Sequence, residues 1–535
     1  MRTQIDSLCL FALASKCQPF SPQNLLWYAL ILLLGWAAMT LLYWAQPGGP
    51  AWGKYSNRRC SSSAAKLIPG PKGFPLLGSI NLMLHLPHHR IAAAAHSFGA
   101  KRLMAFSLGE TRALVTCNPD VAREILTGTA FCNRPPKDSA HSLMFTRAIG
   151  FAPSGVYWRT LRRISAAHLF SPKQIRATEP RRSEIAAEMA ALFEGRTGGY
   201  PVREVLKRAS LNHMVYSVFG RRYGVDSFEE EAEELRRLVG EGYEVLGMLN
   251  WADHLPWLAD LDLQKIRFRC SKLVPRVNRF VSRIIDEHRG QNREINRDFV
   301  DVLLSLQGDD QVSDRDMVAV LWEMIFRGTD TVAVLMEWIL ARLVLHPEVQ
   351  ASVHDELDRV VGTSRAVIES DMAAMPYLRA VVKEVLRLHP PGPLLSWARL
   401  ATTDTVVDGH HVPAGTTAMV NMWAIARDPE VWADPLAFKP DRFVTREGEV
   451  EFSVLGSDLR LAPFGSGRRT CPGKTLGLST VTFWVASLLH EYEFEPSDQN
   501  GVDLSEVLKL SCEMAHPLTV KVSRRRGYTS PLNNA

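Results

Sequence analysis

The loop around Cys471 is the feature that most constrains what this chain can form. Residues 464–473 read FGSGRRTCPG, so the cysteine follows two arginines and lies between glycines. Gly467 and Gly473 allow the backbone to turn tightly and to approach a flat ligand without a Cβ in the way. Backbone N–H groups and a nearby cation favour the thiolate form of cysteine, which is the form that binds metals. The alternative is a buried cysteine that packs as a small apolar side chain in a glycine turn.

The loop resembles the cysteine-ligand loop of the cytochromes P450, whose pattern is F-x-x-G-x-R-x-C-x-G. Every fixed position of that pattern is met. The resemblance implies haem b as the cofactor, with the Cys471 thiolate as the axial iron ligand. In that arrangement Arg469 bridges to a haem propionate and Phe464 covers the thiolate side of the ring. Thiolate ligation donates electron density to the iron and favours cleavage of the O–O bond.

Length and composition predict one large domain after a short N-terminal region. The chain has 535 residues, 46% of them hydrophobic, and no Gly/Ser-rich or charged linker divides it after residue 75. A net charge of +5 without a basic stripe does not favour nucleic acid as a partner. The eight cysteines are scattered without a C-x-x-C pair, which favours reduced thiols facing the cytosol. The sixteen histidines form no H-E-x-x-H pattern, and His410 and His411 are expected on an exposed hairpin.

An uncharged segment near the N-terminus predicts a membrane anchor. Residues 25–44 read LLWYALILLLGWAAMTLLYW, and as a helix they span about 30 Å, the thickness of a bilayer core. Tryptophan and tyrosine lie at both ends, where amphipathic rings favour the interface. Five basic residues follow between positions 54 and 72, and positive charge stays in the cytosol. We therefore expect a single-pass protein of the endoplasmic reticulum membrane whose catalytic domain faces the cytosol.

A proline-rich segment follows the anchor. Residues 67–75 read LIPGPKGFP, in which three prolines stiffen the backbone and prevent a helix. The segment resembles the hinge that orients membrane-bound cytochromes P450 on the bilayer. These boundaries divide the chain into an N-terminal region at 1–65, a hinge at 66–75 and a haem-thiolate catalytic domain at 76–535.

A long helix is predicted to begin at Ser313, where Asp316 supplies the acid of a capping box. In its middle, residues 327–332 read RGTDTV. This stretch resembles the oxygen-activation motif of cytochromes P450, [A/G]-G-x-[D/E]-T-[T/S]. The resemblance implies that Thr331 supplies a hydroxyl at the oxygen site and that Asp330 relays protons. Taken alone, the same residues also fit an ordinary polar patch on a helix.

Arg327 departs from that motif, because alanine or glycine usually stands at its position. The resemblance places this position on the distal side of the haem, where a buried cation without a partner is costly. We expect one of two arrangements. Arg327 pairs with Asp330, one helical turn away, or it contacts an acidic group of the substrate.

Two further segments resemble the scaffold of cytochromes P450. Glu384 and Arg387 form an E-x-x-R pattern on a predicted helix, and residues 440–443 form P-x-R-F. The resemblance implies a buried ion triad of Glu384, Arg387 and Arg442 that holds the segment before the cysteine loop. The E-x-x-R pattern alone is very weak evidence for this resemblance, since it occurs on many surface helices.

Three more side chains are candidates for binding the haem propionates. Trp158 and Arg162 form a W-x-x-x-R pattern one helical turn apart, and Arg399 follows the E-x-x-R helix. The resemblance implies that they act with Arg469 on the propionates, through the indole N–H and the guanidinium groups. Each arginine considered by itself also fits an ordinary surface position.

Together these motifs resemble the plant A-type cytochromes P450, and within them the organ-growth clade of the KLUH and PLASTOCHRON type. The implied fold is one mostly α-helical domain with a smaller β part, preceded by one transmembrane helix. The implied activity is haem-thiolate monooxygenation, with electrons from a membrane-bound NADPH–cytochrome reductase. Arg468 and Lys474 are candidate contacts for that reductase.

The substrate is expected to be a lipophilic small molecule, such as a fatty acid or an isoprenoid-like compound. Mostly apolar segments at 139–152, 320–331 and 394–397 are expected to line its pocket. Two other functions remain open at this point. One is a haem-thiolate isomerase or dehydratase that rearranges a peroxide without dioxygen, and the other is a non-catalytic haem-binding membrane sensor.

Overall fold

The molecule is mostly helical with a smaller β part, which confirms the predicted fold class. The structure, a computed structural model, describes residues 22–58, 67–195, 198–290, 298–395, 398–445, 451–497 and 501–525. The first 21 residues of the predicted N-terminal region, residues 59–66 and residues 396–397 of the predicted pocket lie outside the described residues.

Helices supply most of the mass of the described chain. The α-helices are α1 Pro22–Trp44, α2 Pro50–Arg58, α3 Pro87–Ser97, α4 Pro119–Thr127, α5 Asp138–Ser142, α6 Val156–His168, α7 Pro172–Ala177, α8 Glu179–Phe193, α9 Arg203–Phe219, α10 Glu230–Gly247, α11 Ile266–Gly290, α12 Phe299–Ser305, α13 Asp314–Leu345, α14 Pro347–Val360, α15 Pro376–Leu388, α16 Met422–Ile425 and α17 Lys474–Glu491.

The strands are short and form small sheets and hairpins. They are β1 Met104–Leu108, β2 Thr111–Thr116, β3 Tyr200–Pro201, β4 Arg399–Leu400, β5 Thr405–Val407, β6 His410–Val412, β7 Thr417–Val420, β8 Tyr492–Pro496, β9 Glu506–Leu508, β10 Cys512–Met514 and β11 Thr519–Arg524. One sheet has the order β1-β2-β7-β4 and another β3-β11-β8, while β5–β6 and β9–β10 are antiparallel hairpins. In the first sheet β2 and β7 run parallel, and β4 pairs antiparallel to β7 through Arg399 and Ala418.

Helix α13 passes through the core of the domain. It begins after Ser313, whose side chain accepts a hydrogen bond from the backbone N–H of Asp316, as the sequence predicts. Its 32 residues extend about 48 Å at 1.5 Å per residue. Helix α9 packs against it closely at Gly328, where an added Cβ would lie 2.6 Å from the Met214 side chain. A larger residue at this position would require the Met214 side chain to shift.

The predicted ion triad forms between α15 and the segment before the cysteine loop. Glu384 and Arg387 are fully buried and joined by two bonds of 2.8 Å, and the Arg442 Nε lies 3.1 Å from a Glu384 oxygen. Arg387 also donates to the carbonyl oxygens of Ala426 and Pro435. Because these contacts satisfy buried charges, they fix the path of the chain that leads to Cys471.

Helix α1 is long and apolar enough to cross a membrane. Its segment Leu25–Trp44 has a mean hydropathy of 2.1 and none of it is buried against the rest of the protein. At its end the Trp44 indole donates to the carbonyl of Gly73 in the proline-rich segment, at 2.7 Å.

Helix α2 attaches the anchor to the first sheet. The buried Trp52 indole donates to the carbonyl oxygens of Phe106 and Ala113, both at 3.1 Å. The Ser107 hydroxyl donates to the Gly48 carbonyl at 2.6 Å and accepts a hydrogen bond from the backbone N–H of Ala51. The chain that follows α1 is thus packed into the domain rather than extended from it.

Candidate active site

The cysteine loop, α13 and α6 enclose a cavity of about 290 Å³. Most of the side chains that the sequence singled out for cofactor and oxygen chemistry line this cavity. They are Trp158, Arg162, Arg327, Thr331, Arg399, Phe464, Arg469 and Cys471. Asp330 does not line the cavity, because it lies on the side of α13 that faces α9. The fold therefore brings these separate motifs to one place, with Asp330 behind them.

The cysteine loop is held in a tight turn. The backbone N–H of Cys471 donates to the Phe464 carbonyl at 3.0 Å, which closes the loop. Gly467 adopts a φ of +67°, and a Cβ there would lie 2.1 Å from the Leu126 carbonyl oxygen, so this position requires glycine. Burial raises the pKa of the Cys471 thiol, while the N–H of Gly473 and the charge of Arg162 act in the opposite direction. A metal ion at the sulfur would displace the proton from such a thiol.

Positive charge is concentrated around this cavity. Five arginines line it, and Glu323 is the one carboxylate that does so among the described residues. The arginines are 134, 162, 327, 399 and 469. Burial lowers the pKa of Arg399 and of Arg469 to about 10, and both lie near a second cation. Burying this much like charge is costly unless anionic groups share the cavity.

The residues predicted to bind the propionates donate hydrogen bonds to backbone carbonyl oxygens in this structure. The Trp158 indole and an Arg469 nitrogen both donate to the Ile149 carbonyl at 3.1 Å. Arg162 donates to the Thr470 carbonyl at 3.0 Å, and Arg399 to the Ser466 carbonyl at 3.1 Å. Guanidinium groups have several N–H donors each, so these bonds leave donors for a carboxylate.

Arg327 bonds to Glu323 rather than to Asp330. The Arg327 Nε lies 3.1 Å from a Glu323 oxygen one turn earlier, and its guanidinium lies 5.7 Å from the centre of the Phe151 ring. Glu323 also accepts the backbone N–H of Gly150 at 3.0 Å, and burial raises the pKa of its carboxyl. The expected pairing of Arg327 with Asp330 is therefore wrong, because the two side chains leave α13 on different sides.

Asp330 belongs to a separate polar network behind α13. Its carboxylate lies 3.9 Å from the Lys207 Nζ on α9, and that Nζ lies 3.6 Å from a Glu513 oxygen. Glu513 also binds Lys509, whose side chain is 61% exposed. Burial raises the pKa of Asp330, although the charge of Lys207 opposes the shift. A chain of ionisable groups thus connects the solvent to the residue before Thr331.

The two threonines of the motif have different surroundings. The Thr329 hydroxyl is buried and donates to the Ile325 carbonyl at 2.8 Å, so its bond is internal to the helix. Thr331 lies on the cavity wall. The hydroxyl available to a ligand in the cavity is therefore that of Thr331.

Two charged residues of the cavity, Arg134 and Glu323, were not singled out from the sequence, although Glu323 lies in the predicted pocket segment 320–331. Arg134 lies next to Arg399 and Arg469, and burial together with these charges places its pKa well below its usual value. Glu323 contacts Gly150 from another part of the chain. Arg134 precedes two prolines, and Glu323 is a carboxylate on the apolar stretch of a helix. A charged residue in an apolar run was the one signal in the sequence that could have identified Glu323.

These residues fit a haem. More arginines than carboxylates line the cavity, so positive charge is available to the two propionates and the thiolate of a haem complex. Cys471 supplies the sulfur in the same cavity. A sequence profile described as cytochrome P450 matches residues 68–519 of the chain. The chain belongs to the cytochrome P450 family. Members of this family bind haem through a cysteine thiolate, and this cytochrome P450 is a monooxygenase by family.

Relatives of this cytochrome P450 match it over nearly its whole length. Cytochrome P450 78A6 of Arabidopsis thaliana is 65% identical over 98% of this chain and 100% of its own length. Cytochrome P450 78A3 of Glycine max is 65% identical over 98% of this chain and 99% of its own. Flavonoid 3'-monooxygenase of Arabidopsis thaliana is 36% identical over 87% of this chain and 93% of its own. The resemblance to plant A-type cytochromes P450 is therefore confirmed.

Proposed function

We propose that this monooxygenase inserts one oxygen atom from dioxygen into a lipophilic small molecule. The reaction converts R–H, O₂, NADPH and a proton into R–OH, water and NADP⁺. The observation that carries the proposal is the single cavity on which Cys471, Thr331 and the arginine group meet. When bound, haem supplies the iron that activates dioxygen.

The side chains of the cavity have distinct roles in this proposal. Cys471 would hold the haem iron through its sulfur, and Phe464 would shield that sulfur from water. Arg162, Arg399 and Arg469 would bind the propionates, and we add Arg134 to this group because it lines the same cavity. Trp158 would join them by exchanging its indole bond to the Ile149 carbonyl for one to a propionate.

Proton supply is assigned to the polar residues of α13. Thr331 holds a proton at its hydroxyl on the cavity wall. Asp330 passes protons to this position from the Lys207 side of the helix, and its raised pKa allows the carboxyl to carry a proton closer to neutral pH.

The substrate is proposed to be lipophilic, such as a fatty acid or an isoprenoid-like compound. The cavity wall is mostly apolar, and the predicted pocket segments contribute several of its side chains. Apolar lining residues include Leu126, Ile149, Met214, Met324, Val332, Leu335, Leu395 and Val481. Arg327 remains a candidate substrate contact, although Glu323 already balances its charge.

Electrons are proposed to come from a membrane-bound NADPH–cytochrome reductase that docks near the cysteine loop. Arg468 is exposed there and is suited to contact an acidic surface. Lys474 is half-buried, and its Nζ donates to the Leu455 carbonyl at 2.7 Å, so Arg468 is the stronger of the two candidates. We propose that the protein resides in the endoplasmic reticulum membrane and that the face with the cysteine loop lies in the cytosol. We also propose that it acts in the control of plant organ growth.

The test uses the full chain with a plant NADPH-dependent reductase in vesicles. Fatty acids, terpenoids and steroids are screened for products one oxygen atom heavier by mass spectrometry under ¹⁸O₂. Incorporation of ¹⁸O that requires NADPH is expected, and Cys471→Ser is the inactive control. Rearrangement of a hydroperoxide without NADPH would instead support the isomerase function.

A further inference from the structure

Two adjacent histidines and a glutamate converge between α3 and the β9–β10 hairpin, and none of them lines the cavity. His88 and His89 lie in the first turn of α3, and Glu506 lies on β9. The His88 Nε2 is 2.9 Å from one Glu506 oxygen, and the His89 Nε2 is 2.5 Å from the same oxygen. All three potential ligand atoms lie within 4.8 Å of one another. We call these residues the His88–His89–Glu506 cluster.

Packing holds the members of the cluster in place. The His89 ring stacks on the Trp423 indole at 4.1 Å between centroids, and the His88 ring meets the same indole edge-on at 5.4 Å. The Cys512 thiol lies 3.4 Å from the other Glu506 oxygen and donates to it. Such surrounding contacts are what orient imidazole and carboxylate ligands in metal sites.

The cluster places the Glu506 carboxylate in a mostly buried position, where its partners are two imidazoles and the Cys512 thiol. The His88 side chain is fully buried and that of Glu506 is 10% exposed. The cluster therefore presents two imidazole nitrogens and one carboxylate oxygen to a single point, and these are groups that bind metal ions.

Arg427 interacts electrostatically with the Glu506 charge, but its hydrogen bonds go elsewhere. Its guanidinium donates to the carbonyl oxygens of Leu388 and Arg387 and lies 4.3 Å from the centre of the Trp423 ring. Its charge therefore acts on Glu506, His88 and Cys512 through space. A divalent ion at the imidazoles would place compensating charge directly on the Glu506 oxygens.

We propose that the His88–His89–Glu506 cluster binds a zinc-class divalent metal ion. Two imidazole nitrogens and one carboxylate oxygen are ligands that zinc accepts, with a fourth position open to water. Tetrahedral bonds of about 2.0–2.1 Å place ligand atoms about 3.3 Å apart, so each imidazole withdraws from the Glu506 oxygen by less than about 1 Å. The His89 side chain is 42% exposed, which provides the entry path for the ion and its water.

The bound ion would join α3 to the β9–β10 hairpin. The second strand of that hairpin carries Glu513, which belongs to the polar network behind α13. Cys512 also anchors the hairpin, since its N–H donates to Pro391 and its carbonyl accepts the Trp338 indole. A metal ion bound here would hold the hairpin against α3.

The experiment measures zinc in the full-length, haem-loaded protein, purified in detergent through an affinity tag without histidine. Wild type, His89→Gln and Glu506→Gln are dialysed against zinc chloride and then against zinc-free buffer. His96→Gln is the matched control, because His96 lies exposed on the last turn of the same helix. Haem absorbance identifies the samples that remain folded.

About one zinc per chain is expected in wild type and in His96→Gln, with at least tenfold weaker binding in the two cluster variants. Zinc is also expected to raise the wild-type Tm by about 2–4 °C, and a chelator to reverse the rise. Equal zinc content in wild type and His89→Gln, or a wild type that holds none, would overturn the proposal. None of these readouts depends on monooxygenase activity, so failure here leaves the proposed function untouched.

Discussion

Thr329 and Thr331 are two residues apart on α13, but only Thr331 lines the cavity. We expect the Thr331→Ala variant still to oxidise NADPH, while the fraction of NADPH that yields hydroxylated product falls on the order of tenfold. The reason is that the cavity loses the hydroxyl proposed to hold a proton. Hydrogen peroxide released per NADPH consumed is the measurement. Thr329→Ser keeps the bond to Ile325 and should leave this ratio unchanged, and an unchanged ratio in Thr331→Ala would contradict the role assigned to it.

Sequence reasoning singled out the cavity residues that lie in contiguous motifs, and it did not single out those whose contacts are with distant parts of the chain, although 320–331 was predicted to line the pocket. Cys471, Trp158 and Arg399 could be placed because each motif carries its own spacing. Glu323 and Arg134 gain their roles from contacts with residues far away in the chain. Spacing alone could not decide between Glu323 and Asp330 as the partner of Arg327, since both lie about one turn away on α13.

At the scale of elements, α13 packs against α9 through Gly328. Gly328→Ala places a Cβ 2.6 Å from the Met214 side chain. We expect it to lower the free energy of unfolding by about 1–2 kcal/mol through overpacking, measured by urea denaturation. Gly240→Ala on α10 is the control, because a Cβ there meets nothing within 4 Å. The free energy of unfolding of Gly240→Ala should rise by about 0.5–1 kcal/mol because alanine favours a helix more than glycine does. An equal rise in Gly328→Ala would exclude a tight contact at Gly328.

A buried histidine of α11 bonds to the aspartate that precedes α12. The His288 Nε2 lies 2.9 Å from an Asp298 oxygen, and its Nδ1 lies 2.7 Å from the Ile284 carbonyl. Burial lowers the pKa of His288, but these bonds raise it more, so the folded value lies above 6.5. Because the pKa of His288 is higher in the folded than in the unfolded protein, protonated His288 stabilises the fold. This contribution to the free energy of unfolding is complete below pH 6.5 and is lost as the pH rises through the pKa of the folded state.

His288→Gln should therefore lose stability mainly below pH 6.5 and differ little from wild type at alkaline pH. Urea midpoints measured across this range test the expectation. His96→Gln removes an exposed histidine and should parallel the wild type at every pH. A destabilisation of His288→Gln that is independent of pH would show that packing, and not titration, is lost.

The long elements were predictable and the short ones were not. Helices α1 and α13 carry patterns of twenty residues or more, and the Ser313 cap is visible in the sequence. Strand β3 has two residues, too few for any periodic pattern. The hairpin at His410 and His411 was predicted, but His410 is 7% exposed because the hairpin packs against the domain. Packing of this kind depends on tertiary contacts that a local turn signal does not contain.

At the scale of the whole molecule, the segment after the anchor is part of the domain. A chain that begins at Gly48 keeps Trp52 and the bond from Ser107, and we expect it to retain the wild-type Tm and haem content. A chain that begins at Ser56 loses the buried Trp52, and removal of a buried tryptophan typically costs about 3–5 kcal/mol. Scanning calorimetry and haem absorbance of the two truncated proteins measure the difference. Equal Tm values would show that α2 is dispensable.

The attachment of α1 through Trp44 and Trp52 restricts how the protein can rotate at a bilayer surface. A long flexible tether would let the catalytic domain tumble, so that its entrance sampled water and lipid alike. Here the indole bond to Gly73 and the buried Trp52 join the end of α1 to the domain. In a bilayer crossed by α1, this attachment would oppose such tumbling and hold each face of the domain at a similar height above the lipid.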